Sequence, residues 1–579
     1  MTTKKRLFII VLLLCVTSVP SHAQDERQNF ELPRSTAEPF EIKSGSSFSA
    51  SGGNPFTARP QNIRQTVAAD FAEALQIIQN NHVAGEVLDR DNLTESSVDS
   101  MLRILDPHSN YLDAAEFQSL LGEHESEYSG TGSSISSFEK AGDSGVFIVS
   151  SYPGSPAFKA GLCFGDRIIA IDGVSIQGLS SEMVRDRMRG NRGSSVTLLI
   201  EKADIKVVLI VELRRDRVPQ PTIPNAYVLN KSVGYIDMTG GFSHTTSAEL
   251  DASLAELHRQ GMTSLVLDLR GNGGGILDQA IMAAEKFLPS GTLIVTQRSR
   301  SPLDDRSWRS QNRHPETLPL VILVDENTAS ASEVLAGALQ DNDRALIVGE
   351  KTFGKGLVQS VLELPSGSGL TLTTAKYFTP AGRSIQRDYS EGSLYDYFNH
   401  KNIAVDVGKP LVISRTVTNR KVYGGDGITP DLTLAAEDLG PQKASLLDPI
   451  FFFTREYINE HIERLENQNL AARDEIRQKL IFGESPASDD VMALFQTYVE
   501  RQKQWNISGD IFAKESSFIR SILNYNLSLA SSGIKAAHRT RTTDDPRIAK
   551  AIEMLPKSAQ LAQAARQSRL KLSMQKPTR

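Results

Sequence analysis

The sequence predicts an α/β core with a largely parallel inner sheet, preceded by a small β-rich module and flanked by helical segments at both ends. Three observations carry this. Continuous apolar runs at Val233 to Met238, Ser264 to Leu269, Leu318 to Val324 and Ala345 to Val348 alternate with helical stretches near Ala248 to Arg259, Leu277 to Leu288 and Ala331 to Leu339. Strands buried on both faces read in this way. Between 124 and 213 the texture changes to short apolar runs punctuated by glycines. On both flanks apolar residues fall at helical spacing, as in Val67, Phe71, Ala74, Leu75 and Ile78, and again in Val491, Leu494, Phe495, Tyr498 and Val499. At 579 residues the chain needs several cores, because one core rarely grows beyond about 250 residues.

The first 23 residues read as a secretory signal: basic Lys4-Lys5-Arg6, an apolar run from Leu7 to about Val16, and a small-residue close at Ser21-His22-Ala23. An exported protein follows, periplasmic or otherwise extracytoplasmic. The run is shorter than the roughly 20 residues that span a bilayer, so no permanent span remains after cleavage; an uncleaved signal would leave the protein membrane-associated. Residues 24–62, rich in Ser, Gly, Pro and Gln, read as a flexible leader. Residues 63–123 form an N-terminal helical segment whose second helix stops at Asp106-Pro107.

Residues 124–213 run strand, short helix, strand, turn, helix, strand, with Gly165-Asp166-Arg167-Ile168 and Ile171-Asp172-Gly173 at the turns. This resembles a PDZ domain, whose peptide-carboxylate loop falls here on Gly130, Thr131 and Gly132, where backbone N–H groups can close on an anion. The α/β core occupies 214–440. In the helical extension, 441–579, Asp448 reads as a cap and Pro449 as a first-turn proline. Its apolar faces can pack on the core, on a second copy or on an adaptor.

The formal charge of −6 gives no reason to expect nucleic acid. Removal of the signal takes Cys15 and leaves Cys163, so no intramolecular disulfide forms and no cysteine nucleophile is indicated. No histidine has metal-ligand spacing. His244 is the one conceivable histidine base, without an acid to orient it; His108 reads as packing or turn structure.

The chemistry centres on Asn327-Thr328-Ala329-Ser330-Ala331-Ser332-Glu333. Ser330 sits where an apolar strand meets a helix, a junction that exposes a hydroxyl among unpaired N–H groups. A simple helix cap by Ser330 or Ser332 is the plainer alternative. Upstream, Asp268-Leu269-Arg270-Gly271-Asn272-Gly273-Gly274-Gly275 ends a strand in a glycine turn, lacks the lysine of a phosphate loop, and suits an oxyanion hole. Downstream, Lys355 and Gln359 share one face of an extended segment. A lysine base must be neutral, and neutralising an ordinary lysine at pH 7 costs about 4.6 kcal/mol. Burial removes most of that cost, so the reading requires a buried Lys355.

Taken together, Leu105-Asp106-Pro107-His108-Ser109, the PDZ-like segment, the Asp268 to Gly275 turn, Thr328 to Glu333, Gly349 to Gln359 and Gly427-Ile428-Thr429-Pro430-Asp431 resemble, in order, the carboxyl-terminal processing (tail-specific) serine proteases. The resemblance implies a ClpP/crotonase-like core beside the PDZ domain, with no cofactor and no metal. It implies a Ser-Lys dyad with Ser330 as nucleophile, Lys355 as general base and Gln359 in support, and an oxyanion hole of the Ala331 amide and a glycine of the turn, Gly274 first. The activity implied is an endopeptidase that captures free C-termini of proteins or peptides in its PDZ groove, with a PDZ domain that shifts on occupancy. A silent PDZ-containing binding protein or chaperone is the alternative. The chain departs from the family after 440: Asp545 to Ile552 resembles the family's terminal helix, which makes the residues before it an insertion.

Overall fold

The computed structural model describes residues 60–83, 90–124, 127–390, 397–398, 412–435, 439–462 and 472–574. The expected signal and the leader before Pro60 lie outside them. The chain divides into two compact units at Ile104/Leu105. The first holds the helix Pro60–Asn81 and nearly all of Arg90–Leu105. The helical period of the sequence is thus realised there, with Phe71 and Ile78 left exposed.

The second unit is built around a six-stranded sheet in the order Asn225–Leu229, Val233–Asp237, Ser264–Asp268, Leu320–Val324, Leu346–Gly349, Leu432–Thr433. The first pair is antiparallel and every later pair parallel. Both faces are covered, which is why the inner strands read as unbroken apolar runs. On one face Leu250, Leu254 and Leu257, Ala280 and Ala284, and Leu335 and Leu339 pack against Ile236, Leu267 and Ile322. On the other, Ile548, Ala551 and Leu555 of the terminal helix Pro546–Met574 cover Val266, Val321, Leu323 and Val348. A second sheet joins Asn110–Leu112, Gly369–Phe378, Leu293–Ser299 and Arg306–Arg309, and Leu357–Glu363 also pairs with Gly369–Phe378.

The glycine-punctuated module is an antiparallel sheet, Ser133–Lys140, Asp143–Ser151, Arg167–Ile171, Ser195–Glu201, Val208–Arg214, with short helices at Pro156–Lys159 and Ser181–Met188. It has its own core of Val146, Ile148, Ile168, Val184, Val196 and Leu198.

The helical extension splits in two. Its terminal helix belongs to the core sheet, while the helices between Pro441 and Asp544 pack on the PDZ-like module through Phe147, Phe164, Phe451, Phe452 and Phe453. Phe138 stacks flat on Phe451 with centroids 3.6 Å apart. Arg455 donates to the Gly165 carbonyl at 2.7 Å and pairs with Glu201 at 2.8 Å. Asp448 is not the cap expected from the sequence. The helix runs Leu447–Ile458, because burial of Leu446 and Leu447 draws its start earlier and leaves Asp448 in the first turn. Where the terminal helix begins, Asp545 meets Arg270 at 2.7 Å, tying that start to the end of a core strand beside the glycine turn. Among the described residues no helix is long and apolar enough to cross a membrane.

Candidate active site

The buried strand Leu320–Val324 delivers a tight turn to Ser330, which precedes the helix Ala331–Asp341. Ser330 has φ 57° and ψ −117°, a backbone that non-glycine residues avoid and that costs of order 1–3 kcal/mol unless the surroundings enforce it. They do. Ala329 N–H donates to the Asn272 carbonyl at 2.9 Å, and Thr328 Oγ1 donates to the Leu269 carbonyl at 2.9 Å. Ser332, fully buried, spends its hydroxyl on the Asn272 carbonyl at 3.0 Å. Ser330, half-buried, takes the N-cap position of its helix in a capping box with Glu333. Of the two serines, Ser332 is committed to structure, which leaves Ser330 as the candidate nucleophile.

The carboxylate of Glu333, wholly buried, gathers the site around it. Its Oε2 accepts the Ser330 N–H and the Lys355 N–H, each at 2.8 Å. Its Oε1 accepts the Thr352 hydroxyl at 2.6 Å and the Gly354 N–H at 2.8 Å. One side chain therefore holds the main chains of Ser330 and Lys355, 25 residues apart in sequence, on a single oxygen. Burial pushes its pKa up to about 7, against the pull of the four hydrogen bonds.

Lys355 Nζ donates to Gln359 Oε1 at 2.8 Å, and Gln359 Nε2 donates to the His108 carbonyl. Burial lowers the Lys355 pKa to about 8, with Asp106 and Glu333 pulling the other way. About one lysine in ten is then neutral at pH 7, and neutralisation costs about 1.4 kcal/mol. Asp106 also builds the turn that presents His108: it accepts the His108 and Ser109 N–H groups at 2.8 Å and the Ser109 hydroxyl at 2.7 Å.

The glycine turn lies directly against the serine. A Cβ on Gly274 would fall 2.7 Å from Ser330 Cβ and 2.9 Å from the Ala331 nitrogen. The Gly274 N–H is bonded to Asn272 Oδ1 at 2.9 Å, while Asn272 Nδ2 donates to the Met238 carbonyl. Ala331, first in its helix, has no earlier helical carbonyl to bond.

Ser330, Lys355, Gln359, Gly274 and Ala331 thus converge. Gly130, Thr131 and Gly132 lie elsewhere, at the edge of the PDZ-like module. The Thr131 carbonyl accepts the Ala157 N–H and the Gly132 carbonyl accepts the Tyr152 N–H, both at 2.9 Å. Glu333, Asp106 and the His108 carbonyl were not singled out from sequence as parts of the site. The Ser-x-x-Glu spacing of a capping box was the available signal for Glu333.

A model of peptidase family S41 matches residues 232–393, and a PDZ-domain model matches residues 147–202. The carboxyl-terminal-processing protease of Picosynechococcus sp. is 39% identical over 301 residues, 52% of this chain and 71% of that one. This chain belongs to the carboxyl-terminal processing proteases. The protease is also 33% identical to the carboxy-terminal-processing protease of Bartonella bacilliformis, over 57% of this chain and 75% of that one. It is 32% identical to the carboxy-terminal processing protease CtpB of Bacillus subtilis, over 60% and 72%. It is a serine peptidase with a PDZ domain and an S41 protease core, and the alternative of a silent binding protein loses its support.

Proposed function

We propose that the protease is an exported endopeptidase that cleaves near substrate C-termini with a Ser330-Lys355 dyad. The observation that carries this is the single Glu333 oxygen on which both main chains rest. Neutral Lys355 takes the Ser330 proton as Oγ attacks the peptide carbonyl, then returns it to the leaving amine; water releases the acyl-enzyme by the same route. Gln359 aims the lysine. The Ala331 amide and an amide of the glycine turn hold the oxyanion. Gly274 takes this part only by giving up Asn272 Oδ1.

The PDZ groove adds the substrate tail as a strand. Support for a carboxylate at Gly130 to Gly132 comes from peptide geometry. With the Thr131 and Gly132 carbonyls turned into the domain, the trans peptide plane points the Gly132 and Ser133 N–H groups outward.

Ser330→Ala and Lys355→Ala, each assayed on an unfolded protein substrate, are each expected to lose at least about 1000-fold in kcat/KM. Cleavage at the parent rate by either variant sinks the dyad.

A further inference from the structure

The Lys355–Gln359 bond is one side of a closed ring. Gln359 Nε2 donates to the His108 carbonyl, and His108 Nε2 meets the Tyr397 hydroxyl at 2.8 Å. Gln386 Nε2 donates to the same hydroxyl at 3.1 Å, and Gln386 Oε1 accepts the Gly356 N–H at 2.9 Å. Gly356 is the neighbour of Lys355, so the ring returns to its start. Burial holds His108 down at a pKa of about 2 and Tyr397 up at about 12. The imidazole is therefore neutral and the phenol keeps its proton. With Gln386 donating into the phenol oxygen, the phenol proton is the one directed at His108 Nε2.

Tyr397 is fastened on three sides. His108 packs edge-on against its ring at 5.5 Å, the Arg387 guanidinium lies over that ring at 4.7 Å, and Arg387 also donates to the Tyr397 carbonyl at 2.5 Å. The residue lies outside the motifs of the family resemblance, which pause after Gln359 and resume at Gly427.

We propose that Tyr397 is a positioning residue for the general base: its hydroxyl, seated between His108 and Gln386, fixes the His108 carbonyl that decides which end of the Gln359 amide faces Lys355. The two ends of a carboxamide have the same shape. Without a fixed acceptor for the Gln359 NH2 group, the amide turns and sets donors against the Lys355 ammonium. His108 is held from its backbone by Asp106 and from its ring by Tyr397, and its carbonyl also accepts Asn110 Nδ2 at 2.9 Å; losing the ring anchor lets that carbonyl tilt away from Gln359 without releasing it altogether. The inference rests on the dyad reading above.

The test uses the full chain. Tyr397→Phe, which removes one oxygen, is expected to lower kcat about tenfold with KM for a peptide substrate unchanged. It also moves the acidic limb of the kcat profile to lower pH, because the Lys355 ammonium loses a steady acceptor. Gln386→Ala, which opens the ring on its other side, moves the limb the same way. Because the residues act through one path, Gln359→Ala combined with Tyr397→Phe is no slower than Gln359→Ala alone. A parental kcat and an unshifted limb in Tyr397→Phe, or losses that multiply in the double variant, overturn the proposal. Ser330→Ala and Lys355→Ala run alongside: if both are dead while Tyr397→Phe matches the parent, this inference alone fails; if either is active, the dyad reading fails and takes this one with it.

Discussion

Gly274→Ala lowers kcat/KM by at least about 100-fold, the scale of losing an oxyanion donor. The added Cβ would lie 2.7 Å from Ser330 Cβ, 2.8 Å from the Ala329 carbonyl oxygen and 2.9 Å from the Ala331 nitrogen. Two of those neighbours are backbone atoms that cannot rotate away. Gly274 also sits at φ 100°, where an alanine is strained even with space around it. The turn or the serine must move, and either movement separates the proposed nucleophile from the amides proposed to hold its oxyanion. At Gly273 a Cβ would meet nothing within 4 Å, so Gly273→Ala is expected to lose far less. Steady-state kinetics of the two variants, with circular dichroism to check folding, measure the contrast. Equal losses would show that the turn tolerates no substitution at all and that closeness to Ser330 is not the cause.

The second large effect falls on Glu333→Ala, which removes both activity and stability. Four buried donors, the Ser330, Gly354 and Lys355 N–H groups and the Thr352 hydroxyl, lose their acceptor together. Stranding buried polar groups in this way costs about 3 kcal/mol or more. kcat/KM falls at least about 100-fold because Ser330 and Lys355 are no longer held to one point. Glu333→Gln is no rescue, since its NH2 end turns two donors toward two donors. Denaturant unfolding and peptide kinetics read the two losses separately. Parental kinetics in a stable Glu333→Ala protein would remove Glu333 from the account of the site.

The parts legible in the sequence are those whose physical cause is local. Burial on both faces writes unbroken apolar runs, so Val233–Asp237, Ser264–Asp268, Leu320–Val324 and Leu346–Gly349 were visible as inner strands. The fixed spacing of Ser330, Lys355 and Gln359 within a family pattern was visible too. The site's supports are not local. Glu333 reads as a capping acid within its own turn, while three of its four donors come from Thr352, Gly354 and Lys355, and the Tyr397 phenol reaches His108 across 289 residues. The extension shows a further limit. An apolar stripe such as Val491, Phe495 and Val499 announces that something covers it, and the structure shows that stripe in the cluster reaching Phe147 and Phe164 of the PDZ domain. The terminal helix, with a similar signal, covers the core sheet instead. The early start at Leu447 has the same origin: tertiary burial of Leu446 outweighs a polar cap at Asp448.

The proposed dyad depends on Lys355 being neutral, and the dependence of kcat/KM on pH tests this most directly. Burial lowers the lysine to about 8, and the base form is lost as pH falls, so activity rises through about pH 8 and levels above it. Between about pH 8 and 7 the fall is about fivefold, and it approaches tenfold per unit only below that. It steepens further down, where Glu333, held at about 7, also takes up a proton and loosens its clamp. A limb centred near the roughly 6.5 of a histidine, one near the roughly 10.4 of an ordinary lysine, or a flat profile across this range would contradict a neutral Lys355 as the base.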